Sequence, residues 1–226
     1  MIRKLKSKFP HTPYAPVWDI SLGLYKWEEK DKIDTIREFL LSKEEEILDL
    51  EYNRDAGTGL GEDSVTTRFG KYNLFNFQDE CSEIGDLFEW LQRAYINFIA
   101  EDGTDLIPLK IISWFNIIKK GQEIKEHMHG AGETGYLSGN MHLDNYPSTT
   151  QYREREMRVN IPNEIGGLTF FPSYVNHSVA EWEGDSPRVS LAFDLYLDMP
   201  PYYFMEDDNS VQFMDPVISK RLTGPS

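Results

Sequence analysis

Cysteine is almost missing from this chain. Cys81 stands alone, which excludes an internal disulfide and any cysteine-built metal cluster. A reducing, cytoplasmic setting is the simple expectation. No apolar run is long enough to cross a bilayer. The basic start, Met1 to Lys8, is followed by no apolar stretch, so no signal peptide is expected. Positive charge is scarce: 23 Lys and Arg face 38 Asp and Glu, a net charge of −15. Phosphate binding needs a basic surface, so nucleic acid is excluded as the expected partner, and an anionic membrane surface is disfavoured. Histidine is rare too, with five in 226 residues. They are His11, His127, His129, His142 and His177, and four of them fall between Trp114 and Ser190.

What is present suits a folded chain. The hydrophobic share is 40% and the aromatic share 13%, within the range of globular proteins. The length fits one sizeable core, and a single domain over 1–226 is expected. Pro10, Pro13 and Pro16 mark an extended lead-in that ends near Val17-Trp18, read as an edge strand. Asp31 to Glu51 reads as a helix from the spacing of Ile33, Ile36, Phe39, Leu40 and Ile47. Asn53 to Asn73, with Gly57, Gly59 and Gly61, reads as a flexible surface loop or a lid. No Lys-Ser/Thr pair follows to complete a phosphate-binding pattern. Asp79 to Ala100 is the stronger helix, with Asp79 or Ser82 as its cap and an apolar stripe through Ile84, Leu87, Leu91, Tyr95 and Phe98.

Beyond Gly103 the texture changes to short β-rich runs: Leu109 to Ile118, Leu137 to Leu143, Arg158 to Ile161, Leu168 to Phe171 and Arg188 to Leu197. Helices followed by strands predict an α+β chain, mainly β, with two helices packed on one sheet. The helical support lies mainly in 31–101 and the β core mainly in 105–198. An acidic, proline-containing extension, 199–226, follows, expected to wrap the sheet or to order a partner surface.

The chemistry sits in the histidine-rich stretch. His127 and His129 are two residues apart. On an extended segment both rings leave one face, with Cα atoms roughly 6–7 Å apart, and can converge on one cation. His177, just after a second strand-like run, is the best third partner. Neutral imidazole suits iron, copper, nickel or zinc. In Leu137 to Asp144 the residues alternate, so Ser138, Asn140, His142 and Asp144 share a polar face. In Arg188 to Phe193, Arg188, Ser190 and Ala192 share another. An inward guanidinium with a hydroxyl two residues on suits a carboxylate, bound bidentately with one further hydrogen bond. Asn116 and Tyr136 are further candidates to line the pocket.

These residues form a pattern: Trp114-x-Asn116, Gly121, His127-x-His129, Leu137-Ser138-Gly139, Gly167-x-x-x-Phe171-Pro172-Ser173, His177 and Arg188-x-Ser190. The pattern resembles the iron(II)/2-oxoglutarate-dependent oxygenases, in a branch similar to prolyl hydroxylases. The resemblance is strong over Trp114 to Phe193. It implies a double-stranded β-helix (jelly-roll) core and the cofactor set Fe(II), 2-oxoglutarate and O2. It implies that His127 and His177 bind iron, and that Arg188, with Ser190, binds the far carboxylate of 2-oxoglutarate. His142 stands where a tyrosine often touches that carboxylate. The departure is His129, at the position of the usual carboxylate ligand: either it is the third ligand, or a nearby acid such as Asp144 is. The implied activity is hydroxylation of an unactivated C–H bond in a peptidyl residue, a free amino acid or another small molecule. The rival expectations are a cupin-type three-histidine dioxygenase that needs no 2-oxoglutarate, and a non-catalytic metal-binding jelly-roll module.

Overall fold

The computed structural model describes residues 1–7, 12–52, 57–132, 135–144, 147–197 and 209–215. His11 and most of the acidic tail lie outside them. Two antiparallel sheets carry the chain. The larger contains β1 (Ile2–Lys6), β2 (Asp19–Lys26), β3 (Leu109–Ile118), β5 (Leu137–His142), β8 (Gly167–Pro172), β10 (Arg188–Leu197) and β11 (Val211–Met214), in the order β1-β2-β8-β5-β10-β3-β11. The smaller contains β4 (Ile124–His127), β6 (Thr149–Glu154), β7 (Met157–Pro162) and β9 (Asn176–Val179), in the order β4-β9-β6-β7. The protein is thus mainly β. No described helix is long and apolar enough to cross a membrane.

Three helices, α1 (Lys30–Ser42), α2 (Glu44–Leu48) and α3 (Ser82–Asp102), precede the β-rich half. Ile33, Ile36 and Leu40 of α1 and Leu87, Leu91, Tyr95 and Phe98 of α3 share one core with Leu137, Met141, Leu191, Phe193 and Leu195 of the large sheet. Each such side chain contributes roughly 1.5–3 kcal/mol when fully buried. Rings interlock at this layer, with Phe98 stacked on Phe170 at 5.6 Å and Tyr95 edge-on to Phe213 at 5.6 Å. A second cluster, including Leu22, Tyr152, Ile161, Phe171 and Val175, joins the two sheets.

Several expectations are corrected. The lead-in read as an edge strand ending near Val17-Trp18 has no strand over residues 12–18; β2 begins after it at Asp19 and is not an edge, because β1 pairs outside it from Ile2↔Gly23 to Lys6↔Asp19. The single helix expected over 31–51 breaks at Lys43, whose amide bonds Leu40 O at 3.2 Å and whose ammonium pairs with Glu46 and Glu80. The cap of α3 is Cys81, with no side-chain capping bond, rather than Asp79 or Ser82. Gly103, at φ +74°, ends α3 in the left-handed conformation that glycine adopts without steric cost. The described part of the C-terminal extension does join the sheet: β11 lies against β3, Phe213 is buried, and Gln92 Nε2 donates to Phe213 O at 2.6 Å.

Gly139 makes the centre of the large sheet possible. It sits opposite Phe193 on one side and Phe170 on the other, and these two rings meet edge to face at 5.7 Å. A Cβ at 139 would overlap the Phe193 ring. Gly139→Ala should therefore lower stability by about 1–3 kcal/mol through overpacking. Urea unfolding measures this, and adding Phe193→Leu should recover part of the loss. An unshifted midpoint for Gly139→Ala would refute the assignment.

Candidate metal centre and adjoining anion site

Pairing of β4 with β9 sets His127 directly opposite His177. Their ring centroids lie 4.3 Å apart. His129 follows just after β4, on backbone held by its own amide and that of Gly130, both donating to Ser173 O at 3.0 and 3.1 Å. Its ring lies 5.5 Å from that of His127 and 5.0 Å from that of His177. One ring nitrogen from each of the three lies within 4.8 Å of the others, so the expected convergence of His127, His129 and His177 is found.

The outer ring nitrogens are engaged. His127 Nδ1 is 2.8 Å from Lys125 O, and His177 Nδ1 is 3.3 Å from Val175 O. A carbonyl only accepts, so in these bonds Nδ1 carries the proton and Nε2 keeps its lone pair for a cation. His129 Nδ1 lies 2.6 Å from Asp194 Oδ1, which fixes the same tautomer there. Burial, reinforced by the neighbouring His129 and His127 rings, pushes the His177 pKa well below 6.5, against the pull of the Val175 carbonyl. His177 is therefore a neutral donor at neutral pH.

A cavity of about 500 Å3 opens over this cluster. Trp114, Asn116, Asn140, His142, Ser190 and Asp194 line its large-sheet side. They come from alternate positions of β3, β5 and β10, whose intervening residues Phe115, Met141, Leu191 and Phe193 face the helices. The expected polar faces thus look into one space. Asn116 is fixed by Thr66 Oγ1, which donates to its Oδ1 at 2.6 Å, and its Nδ2 donates to Ser190 Oγ at 3.3 Å.

Arg188 does not itself line the cavity. It lies next to Ser190 on the same strand face, only 2% exposed. Its one hydrogen bond among the described residues is Nη1 to Ser148 Oγ at 3.4 Å, and its Nε has no partner. Burial lowers its pKa to about 10, opposed by the charge of Asp144. His142 is buried as well, with Nδ1 lacking a partner. Burial first, then the adjacent Arg188, push its pKa down to about 3. A buried cation beside a neutral imidazole, each with an unsatisfied polar atom, describes a place for an anion.

Three expectations change here. Asp144 is not a ligand candidate: it binds Arg37 Nε at 2.5 Å, accepts from Val189 N at 2.6 Å, and does not line the cavity. Tyr136 belongs to the helical side, its hydroxyl 2.8 Å from that of Tyr95. The glycine-bearing segment is a loop with Gly57, Gly59 and Gly61 exposed, as expected, but its intervening residues turn inward. Thr58 and Leu60 are buried, Thr58 O accepts from Lys125 N at 2.9 Å, and Gly57 comes within 3.5 Å of His127 Cβ in the sense that a Cβ built there would. This segment runs along the outer edge of β4 and lines the cavity at Thr58 and Thr66. Asp194 was not anticipated, although it continues the alternation of Arg188, Ser190 and Ala192 by one more step.

Residues 138–194 match the family described as "Putative 2OG-Fe(II) oxygenase". The chain resembles the 2-oxoglutarate- and iron(II)-dependent oxygenases. The matched segment runs from β5 to β10 and so includes His142, His177, Arg188 and Ser190. No curated protein matches. Among solved structures, the fold is similar to a Pseudomonas putida prolyl-4-hydroxylase, with TM-score 0.53, 11% identity, and coverage of 78% of this chain and 94% of that one. It is similar to the α-ketoglutarate-dependent epimerase SnoN from nogalamycin biosynthesis, with TM-score 0.51, 13% identity, and coverage of 85% and 94%. A Trichoplax adhaerens prolyl hydroxylase, solved with a hypoxia-inducible-factor peptide, has TM-score 0.50 and 10% identity, with coverage of 78% and 83%. The matched family is described by its use of 2-oxoglutarate and Fe(II), and the solved structures share the fold.

The burial of His142 has a pH consequence. Its folded pKa, about 3, lies below the ordinary 6.5. Between these values the unfolded chain binds more protons, so the stability of the metal-free protein rises with pH and is lost on acidification through that window. At pH 5 the loss assigned to His142 is about 2 kcal/mol, and His177 acts in the same direction. Urea unfolding at pH 7 and pH 5 should show the fall, and His142→Asn should make it shallower. An identical fall in that variant would remove His142 as its source.

Proposed function

We propose that this protein is a non-haem Fe(II)- and 2-oxoglutarate-dependent dioxygenase that hydroxylates an unactivated C–H bond. The supporting observation is the adjacency of two sites. Three imidazoles converge on one point, and a buried guanidinium with an unsatisfied Nε lies behind the same polar wall. His127, His129 and His177 would hold the iron. Arg188, assisted by Ser190, His142 and Asn116, would take the far carboxylate of 2-oxoglutarate. A carboxylate arriving there satisfies the polar atoms that burial leaves without partners, each of which costs roughly 1–3 kcal/mol while unsatisfied. The strand orders β8-β5-β10-β3 and β4-β9-β6-β7 support a double-stranded β-helix core within one domain, 1–226.

When bound, iron and 2-oxoglutarate would supply, with O2 as oxidant, an oxidative decarboxylation in which one oxygen atom goes to succinate, alongside carbon dioxide, and the other to the hydroxylated C–H bond. The chain's own residues orient and shield. The Nδ1 hydrogen bonds aim three lone pairs at the metal position. Phe69, Trp114, Ile124, Met128 and Val179 give the cavity apolar walls that limit water. The likeness to prolyl hydroxylases favours a peptidyl residue as substrate, with a free amino acid or another small molecule next. A second reading, a three-histidine dioxygenase that needs no 2-oxoglutarate, is favoured only by His129 standing at the usual carboxylate position.

Anaerobic titration of the Fe(II)-loaded protein with 2-oxoglutarate tests the reading, through the weak visible charge-transfer band of the complex. Failure to bind or consume 2-oxoglutarate while iron is held would favour the second reading. His177→Ala should lose iron, since two remaining imidazoles cannot fix the geometry. Arg188→Met should keep iron but weaken 2-oxoglutarate binding by about 2–5 kcal/mol. Unchanged affinity on calorimetry would return Arg188 to a structural role. His129→Asp should retain Fe(II) and His129→Leu should release it, as metal analysis will show.

A further inference from the structure

A site of three imidazole ligands lacks the negative charge that a carboxylate ligand brings to a divalent ion. That charge is nevertheless close by. Asp194 Oδ1 lies 2.6 Å from His129 Nδ1, and Ser138 Oγ donates to the same oxygen at 2.6 Å. Ser138 and Asp194 are direct cross-strand partners on β5 and β10, so both side chains leave their strands on the cavity side. Asp194 lines the cavity, yet it is not part of the cluster whose donor atoms lie within 4.8 Å of one another.

The His129 ring is confined on its other sides too. Trp114 lies tilted against it at 5.4 Å, and Phe171 meets it edge-on at 6.0 Å. Its backbone is tied to Ser173 O. Among these described neighbours the carboxylate is the charged group, and its hydrogen bond decides which ring nitrogen faces the cavity.

We propose that Asp194 is a positioning residue for the metal centre, holding His129 with Nε2 towards the metal and supplying, one hydrogen bond away, the negative charge that the three-histidine ligand set lacks. The carboxylate acts only through the imidazole. A ring whose Nδ1–H points at an anion is a stronger donor at Nε2, and partners of this kind are typically worth 10- to 100-fold in metal affinity. Ser138 acts one step further out by fixing the carboxylate oxygen. This inference rests on the metal-site part of the proposed function and is independent of the 2-oxoglutarate part.

The test is equilibrium titration of the metal-free full chain with Co(II), read by its d–d absorption, with no 2-oxoglutarate and no turnover. Asp194→Asn keeps the shape of the side chain and removes its charge. It should weaken Co(II) binding by about 10- to 100-fold while one ion per chain still binds at saturation and the unfolding midpoint of the metal-free protein stays put. Ser138→Ala should give a smaller loss in the same direction. In a His129→Asp background, Asp194→Asn should cost no affinity, because no imidazole remains for Asp194 to hold. An unchanged affinity for Asp194→Asn alone, or an equal loss in both backgrounds, would overturn the proposal. A wild-type chain that binds Co(II) but never 2-oxoglutarate defeats the oxygenase reading and leaves this one standing. A wild-type chain that binds no Co(II) defeats the metal centre and this proposal together.

Discussion

The two-residue alternation of β3, β5 and β10 is the constraint on which the rest depends. In each strand one set of side chains faces the helices and the other faces the cavity. Phe115, Met141, Leu191 and Phe193 bury in the core that the large sheet shares with α1 and α3, while Trp114, Asn140, His142, Ser190 and Asp194 line the site. A shift of one residue in any register would exchange the two sets. It would put His142 among the aromatics of the helical layer and send Phe193 into the cavity. The energetics of the core and the placement of the polar groups are therefore one specification. Gly139 shows how tight it is, since two neighbouring strands place phenylalanines across from its missing side chain.

The smaller sheet brings the other half of the site. β4 and β9 are short and mostly polar, and they are held by their pairing and by a small apolar cluster of Ile124 and Val179 with Leu60, Ile118 and Trp182. Their register places His127 across from His177. Burial then keeps the His177 ring neutral, because a proton on it would be both desolvated and close to two other imidazoles. Burial likewise keeps His142 neutral beside a cationic Arg188. The same low-dielectric setting thus produces two unlike sites side by side. One is a cluster of neutral lone pairs for a cation, and the other is a buried positive charge for an anion. The charge of Asp194, held at the boundary between the sheets, joins the first of these to the large sheet.

The sequence by itself determined the local chemistry. The spacing His127-x-His129, the pairs Arg188-x-Ser190 and Asn140-x-His142, and the apolar stripe of α3 are all properties of a few consecutive residues, and the periods of strand and helix carry them directly. It also determined that the helices precede the β-rich half, although β1 and β2 come before them. Tertiary structure decided what depends on partners far along the chain. Asp144 shares a face with His142, yet it turns to Arg37, 107 residues away. His129 finds Asp194, 65 residues away. The segment with Gly57 and Gly59 keeps its glycines in solvent but is tied along β4, where the Lys125 amide donates to Thr58 O. Strands β1, β6, β9 and β11 carry too little apolar pattern to be read alone, and their sheets supply the hydrogen bonds that make them strands. Alternation says which residues share a face, but only the folded pairing says what that face meets.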